Sequence, residues 1–386
     1  MIKPLQIPFN KLDLTGKELD RVAEAFARGQ TSGDGHFTAL CSKWLETNLN
    51  ANKALLTHSC TAALEIAALL CGIEEGDEVI MPSFTFVSTA NAFVLRGAVP
   101  VFVDIEPETL NINPDLIEVA ITERTKAIVV VHYAGAMCAM DRIQSIASRY
   151  GLFLIEDAAQ AILTRDGSRF AGTIGDVGCF SFHETKNIGC GEGGALLINN
   201  NSLSDRAEII RAKGTNRKAF ENGFVDKYGW VDIGSSYLPG EITAAFLLEQ
   251  LENGRTLIAA REQKWMKYHR DLAPISKLFS LFSIPQANSK TPHNSHIFFL
   301  LFQTNKTRCD FIGFMREYNI QCVFHYTPLH TSSEMSKFFR ICGDMTVTEM
   351  AGERLVRLPL WSSITEAEQD YILQKILDFC EMANIE

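Results

Sequence analysis

The sequence predicts an α/β protein: a large domain built on a mostly parallel sheet, then a smaller α+β domain at the C-terminal end. Three observations predict it. Short apolar runs alternate with stretches of helical periodicity through the first two-thirds, the pattern of a parallel sheet covered by helices on both sides. Several of these runs are apolar and β-branched, without the polar alternation of a sheet that has one wet face. From about Gly254 this rhythm gives way to longer helical patterns and isolated strands. A large domain is therefore expected over 1–253 and a small one over 254–386, with the N-terminal segment packing on the small one. A length of 386 residues suits such a pair and buries a sizeable core.

The elements follow in chain order. KALLT (53–57) reads as the first strand, and 61–71 as a helix with apolar residues at helical spacing. Residues 78–81 form a strand that Pro82 ends, because proline has no N–H to give a ladder. VPVFV (99–103), AIVVV (127–131) and LFLIE (152–156) read as strands buried on both faces, and 194–198 as one more. In the C-terminal part, 262–272 and 366–382 read as helices, and 297–302 and 321–326 as strands. The Ser-, Asn- and Pro-containing stretch 283–294 reads as an exposed loop.

A formal net charge of −10, with no run of Lys or Arg, argues against a nucleic-acid partner held through its phosphates. Ten cysteines without a C-x-x-C pair point to reduced, mostly buried thiols and a cytoplasmic protein. MIKPLQIPFNKLDLTG holds no apolar run of the kind a signal peptide needs. The longest apolar stretch, 54–73, is broken by His58 and Glu65, so no membrane span is expected.

Ligands of open α/β sheets bind beyond the carboxyl ends of the strands. His58, Ser59, Cys60 and Thr61 stand at such a place and open a helix. The free N–H groups and dipole of a helix start suit a phosphate; Ser59 or Thr61 equally serves as a plain cap. Glu156 and Asp157 end another strand, where a carboxylate is a metal ligand, a cap, or the partner of a cationic nitrogen. FSFHETKN (180–187), followed by Gly189, Gly191, Gly193 and Gly194, sets Lys186 between a strand and a glycine-rich turn. Lysine is normally a solvated surface residue, so Lys186 alone signifies little. With Asp157, Ser181 and the helix start at Thr61 it matches the needs of one cofactor, pyridoxal phosphate. These needs are an amine to form an imine, a carboxylate to keep the pyridine nitrogen protonated, and a phosphate cradle.

Two rivals fail on context. Residues 189–194 spell G-x-G-x-x-G, but they precede an apolar segment instead of opening a helix, which argues against a nicotinamide site. Ser181 and His183 suggest a hydrolase pair, yet the chain has no G-x-S-x-G elbow.

The stretches THSCTAALE, GDEVIMPSFTFVSTANAFVLRGA, VHYAG, IEDAAQ, GCFSFHETKN, GEGGALL, KGTNR and VFHYTPLH resemble the DegT/DnrJ/EryC1/StrS sugar aminotransferases, from about Ile7 to about Phe379. The resemblance implies a fold of the aspartate-aminotransferase type (fold type I) and a homodimer with active sites at the interface. It implies that Lys186 carries the cofactor as an imine and later moves the proton, while the cofactor alternates between pyridoxal and pyridoxamine phosphate. Asp157 would pair with the ring nitrogen, Gln160 with the ring hydroxyl, and Phe86 would stack on the ring. Ser181, Cys60 and Thr61 would hold the phosphate, and His183, His325 and Tyr326 would lie on the sugar side. Many members carry asparagine or arginine in the segment that reaches the partner's phosphate site. Here that segment is GSSYL (234–238), and Ser236 is expected to substitute. Relatives that act as dehydratases replace the lysine with histidine, so Lys186 favours transamination.

The implied reaction moves an amino group from L-glutamate to C4 of dTDP-4-keto-6-deoxy-D-glucose. The dTDP-4-amino-4,6-dideoxy product, of galacto configuration, would serve a cell-surface polysaccharide such as lipopolysaccharide, O-antigen or enterobacterial common antigen. A gluco product, a 3-keto acceptor or a UDP-linked sugar stay open. A catalytically silent sugar-nucleotide binding protein is the non-enzyme alternative, against which the Lys186–Asp157 pair argues.

Overall fold

The structure, a computed structural model, describes residues 6–286 and 292–383. Its strands are β1 (Lys53–Thr57), β2 (Glu78–Pro82), β3 (Val99–Val103), β4 (Thr125–Val131) and β5 (Phe153–Asp157). A short hairpin, β6 (Arg165–Asp166) and β7 (Arg169–Phe170), leads to β8 (Val177–Ser181) and β9 (Gly194–Ile198). The rest are β10 (Phe282–Ser283), β11 (Phe299–Phe302), β12 (Val323–Phe324), β13 (Arg340–Ile341) and β14 (Leu355–Arg357). Eight strands form one sheet in the order β1-β9-β8-β5-β4-β2-β3-β13. Only β9 runs against its neighbours; every other pairing in this sheet is parallel.

Alternate side chains of these strands enter two separate cores. Leu56, Ile80, Val101, Ile128, Val130 and Leu197 pack on one face; Leu55, Val79, Phe102, Val129, Ile155 and Leu196 pack on the other. Strands buried on both sides need no polar alternation, which is why these runs read as continuously apolar. The helix Cys60–Leu70 lies in the second core with eight of its residues buried, and Ser59 caps it by accepting the Ala62 N–H at 3.1 Å.

A four-stranded antiparallel sheet, β10-β11-β14-β12, carries a third core around Trp265, Phe298, Phe302, Phe311 and Phe379. The long helix Gly254–Phe279 and the closing helix Glu366–Ala383 pack against it. Ile7 bridges Ile320, and Asp13 accepts the backbone N–H of Ser362, so the N-terminal strap runs along this sheet. One C-terminal piece crosses over: β13 pairs with β3 at the edge of the large sheet.

Three expectations are corrected here. The strand read over 297–302 starts only at Phe299, because the carbonyls of Ser295, His296 and Ile297 are taken by the side chains of Arg261 and Trp265. The strand read over 321–326 shrinks to Val323–Phe324, and His325 and Tyr326 turn away to line a cleft. The stretch 283–294 is not exposed throughout. Asn294 is buried, with its amide donated to the carbonyls of Gln160 and Ile162; residues 287–291 lie outside the described residues. Among the described residues no helix is long and apolar enough to cross a membrane.

Candidate active site

The carboxyl ends of β1, β5 and β8 meet the start of β9. Thr57 and Ser181 both sit opposite Gly194, and Asp157 sits two rungs from the end of β8, opposite Cys179. Beyond this edge lies a cleft of about 750 Å³. It gathers Cys60, Thr61, Phe86, Asp157, Gln160, Ser181, His183, Lys186, His325 and Tyr326. Of the residues expected in the site, Ser236 alone is absent from it; Ser236 is exposed beside its bridge to Ala212.

Lys186 stands in the turn after β8, where its N–H is donated to the His183 carbonyl. Its neighbour Asn187 is buried and anchored twice, to the Asn294 carbonyl at 2.9 Å and to His296 Nδ1 at 2.8 Å. The amine is thus presented from a fixed loop. Burial pushes the Lys186 pKa down and the Arg357 charge adds to this, against the pull of Cys60 and Asp157.

Asp157 is buried at the end of β5, and burial pushes its carboxyl up. Four features oppose that: the Thr89 hydroxyl on Oδ2 at 2.7 Å, the Ala159 N–H on Oδ1 at 3.1 Å, and the charges of Lys186 and His132. Because Thr89 donates to Asp157, its own oxygen accepts from Thr85 at 2.8 Å. Glu156, indistinguishable from Asp157 by position alone, points to the opposite face. It accepts the N–H groups of Gly172, Ile174 and Gly175 and pairs with His132 at 2.9 Å, so it braces the loop before β8.

The helix start at Cys60 opens into the same cleft, with Thr61 and Ser88 hydroxyls 2.7 Å apart. Gly194 is needed there: a Cβ on it would lie 2.3 Å from Ser59 C and 2.5 Å from Cys60 N, in backbone that cannot move aside. Cys60 stays a thiol, since burial holds its pKa well up. Phe86 precedes the helix Val87–Val94 with its ring 56% exposed, lining the cleft 6.5 Å from Tyr326. Gln160 accepts the Ala134 N–H at 2.7 Å and donates to Tyr326 Oη at 3.0 Å. His325 is neutral, its pKa pushed well down by burial, and its Nδ1 meets Tyr133 Oη at 3.1 Å.

The rivals lose their footing in this geometry. His183 turns its Nδ1 to Thr185 at 2.9 Å and only its backbone N–H to Ser181, so the two side chains form no hydrolytic pair. Gly194 opens a strand, not a helix. Among the described residues no group of three or more His, Cys, Asp or Glu could hold a metal ion.

Sequence reasoning missed Thr89, His296, Arg261 and Arg357, which share the cleft. Thr89 sits in a plain helical stretch, and the other three come from the C-terminal part, where no motif marks them.

The donor set fits pyridoxal phosphate. It offers a desolvated amine, a buried carboxylate held by two donors, and a helix start with a glycine-lined approach and hydroxyls for a dianion.

Comparison with known proteins agrees. The model of the DegT/DnrJ/EryC1/StrS aminotransferase family matches residues 13–377. The spore coat polysaccharide biosynthesis protein SpsC of Bacillus subtilis is 34% identical, over 98% of both chains. A family aminotransferase structure from Brucella abortus superposes with a TM-score of 0.85 at 30% identity, covering 94% of this chain and 95% of that one. NtdA of Bacillus subtilis, solved with bound cofactor PMP, gives 0.87 at 29% identity, covering 97% of this chain and 85% of that one. This chain therefore belongs to the DegT/DnrJ/EryC1/StrS family and is a pyridoxal-phosphate-dependent sugar aminotransferase.

Proposed function

We propose that the enzyme transfers the amino group of L-glutamate to C4 of dTDP-4-keto-6-deoxy-D-glucose, giving the dTDP-4-amino-4,6-dideoxy sugar of galacto configuration for cell-surface polysaccharide synthesis. The observation that carries the chemistry is Lys186 and Asp157 in one cleft at the carboxyl ends of the strands. VFHYTPLH and its companion stretches mark the family, and among its acceptors the resemblance of the whole chain favours this sugar.

When bound, pyridoxal phosphate supplies an aldehyde for the amino group and a cationic ring that withdraws electrons. Lys186 Nζ would hold the cofactor and, once freed, would serve as the base and acid that moves the proton of the donor's α-carbon. Burial lowers the lysine pKa, which favours the neutral amine that a base requires. Asp157 would hold a proton on the ring nitrogen. Gln160 would meet the ring hydroxyl and Phe86 would cover one face. Ser181, Cys60 and Thr61 would take the phosphate, and His183, His325 and Tyr326 would face the sugar. Ser236 completes the phosphate site of a second subunit, so the working unit is a homodimer. The exposed run of Phe224, Trp230 and Val231 leading to Ser236 supports this, because monomers rarely leave such a patch in water.

The test is incubation of the holoenzyme with L-glutamate and dTDP-4-keto-6-deoxy-D-glucose, with the product read by NMR. An axial amine at C4 is expected. An equatorial amine would correct the configuration, and amination at C3 would overturn the assignment. Lys186→Ala abolishes turnover while the fold survives, and Asp157→Asn lowers the rate severely; appreciable turnover by the first variant would sink the assigned roles.

A further inference from the structure

His296 is buried, lines the cleft, and stands on backbone that cannot shift freely. Its carbonyl accepts Arg261 Nη2 at 2.8 Å, and the carbonyls on either side are taken by Arg261 Nε and the Trp265 indole. The Asn294 amide ties the same segment to the carbonyls of Gln160 and Ile162. The imidazole is therefore delivered from a fixed position.

Its neighbours dictate where its hydrogen sits. The Asn294 carbonyl can only accept, so the Asn187 atom facing it at 2.9 Å is the amide nitrogen. Asn187 then turns its oxygen to His296 Nδ1 at 2.8 Å. That oxygen also can only accept, so Nδ1 carries the hydrogen. Burial and the charges of Lys186, Arg261 and Arg357 push the His296 pKa well down, which favours the neutral ring. Nε2 is thus a bare lone pair. It makes no hydrogen bond among the described residues, yet it is not one of their buried unpaired polar atoms, so it opens into the cleft. The nearby His325 differs: its Nδ1 meets the Tyr133 hydroxyl, which can donate or accept, so that contact fixes no tautomer.

A lone pair facing a cleft calls for a proton donor, and the cleft holds three cations. Arg261 spends its donors on the carbonyls of Ser295 and His296, and Arg357 turns Nε and Nη2 to the Phe324 carbonyl. Lys186 is joined to Asn187, the residue that orients His296, and of the charges around His296 its own weighs most. A lysine amine on its flexible four-carbon stem also has to be aimed. We propose that His296 is a positioning residue for Lys186: its Nε2 accepts one N–H of the freed amine and so turns the amine's lone pair toward the α-carbon of the amino-acid donor. The opposite tautomer would donate into that lone pair and leave no base. Asn187 therefore sets the tautomer that keeps its neighbour Lys186 basic. The inference rests on the assignment of the proton transfer to Lys186.

The test uses His296→Asn, whose amide can keep the bond to Asn187 but ends short of Nε2, and His296→Gln, whose amide oxygen reaches that place. An acceptor favours the ammonium over the amine, because a hydrogen bond from a charged donor is the stronger. Cys60 and Asp157 act on Lys186 in the same direction, against burial and Arg357. Capture of pyridoxal phosphate by apoenzyme, followed against pH, reports the neutral amine. Its midpoint should fall by roughly one pH unit in His296→Asn and stay near the wild type in His296→Gln. In the holoenzyme, the glutamate half-reaction should slow about tenfold in His296→Asn, with a larger isotope effect from α-deuterated glutamate, and recover in His296→Gln. An unmoved midpoint and isotope effect in His296→Asn overturn the proposal, as do equal losses in both variants. A loss confined to the half-reaction with the keto-sugar assigns the lone pair to a sugar hydroxyl and overturns it too. If His296→Asn fails to fold or to hold the cofactor, Asn187→Leu, which frees the tautomer, should show the same fall and the same isotope effect; their absence there is equally decisive. Exchange of the α-hydrogen by Lys186→Ala would remove the underlying assignment of Lys186; a normal midpoint in His296→Asn removes only this inference.

Discussion

Asp157 shows how much of the site depends on residues that touch only other residues. Its carboxyl is buried, and burial disfavours its charged form. The Thr85–Thr89 hydroxyl pair delivers a donor to Oδ2 and opposes that effect. Hydrogen bonds to charged groups contribute about 1.5–3 kcal/mol. Thr89→Val is therefore expected to weaken cofactor binding by about tenfold, and Thr89→Ser to restore it. Equal cofactor dissociation constants for Thr89→Val and the wild type would show that the pair does not support Asp157. Lys186 and Asp157 were legible in the sequence because each stands beside a strand end in a distinctive stretch. Thr89 was not, since nothing in SFTFVSTAN distinguishes a threonine aimed at the site from one that caps or packs. Arg357 and His296 were hidden for another reason. Arg357 ends a short strand whose partners lie far back along the chain, and His296 meets Asn187 across a separation of 109 residues.

At the scale of elements, the large sheet was legible and the small one barely so. Strands of five to seven residues buried on both faces leave a continuous apolar signature. Strands of two residues, such as β12 and β13, carry no period at all. The edge strand β13 is held by chemistry that sequence pattern does not encode. Glu78, buried on β2, accepts from Arg340 through Oε1 at 3.0 Å and Oε2 at 2.7 Å, and also from Arg124 and Thr122. Burial would raise its carboxyl, but these donors bring it down to about 2 from 4.5. A depressed carboxyl stabilises the fold above its unfolded value and ceases to do so as pH falls toward the folded one. Glu78→Gln should thus cost roughly 2–3 kcal/mol at neutral pH, a deficit that shrinks between pH 4.5 and about 2. Denaturant titrations at several pH values check this; a pH-independent deficit would contradict it.

For the whole molecule, a single chain presents its cleft complete except for Ser236, and leaves Phe224 78% and Trp230 85% exposed in the segment leading to it. In the proposed homodimer this segment is covered. Trp230→Asp is expected to shift the sedimentation mass from two chains toward one, and to loosen the cofactor with it. A monomeric wild type, or a dimer unaffected by the change, would count against that arrangement. The central claim concerns Lys186, and one measurement addresses it without relying on the sugar. Borohydride reduction of the purified holoenzyme, followed by peptide mass mapping, fixes the cofactor to the amine that carries it. The added mass should appear on the peptide bearing Lys186 and vanish when the enzyme is first treated with L-glutamate. Its appearance on another lysine, or on none, would contradict the account.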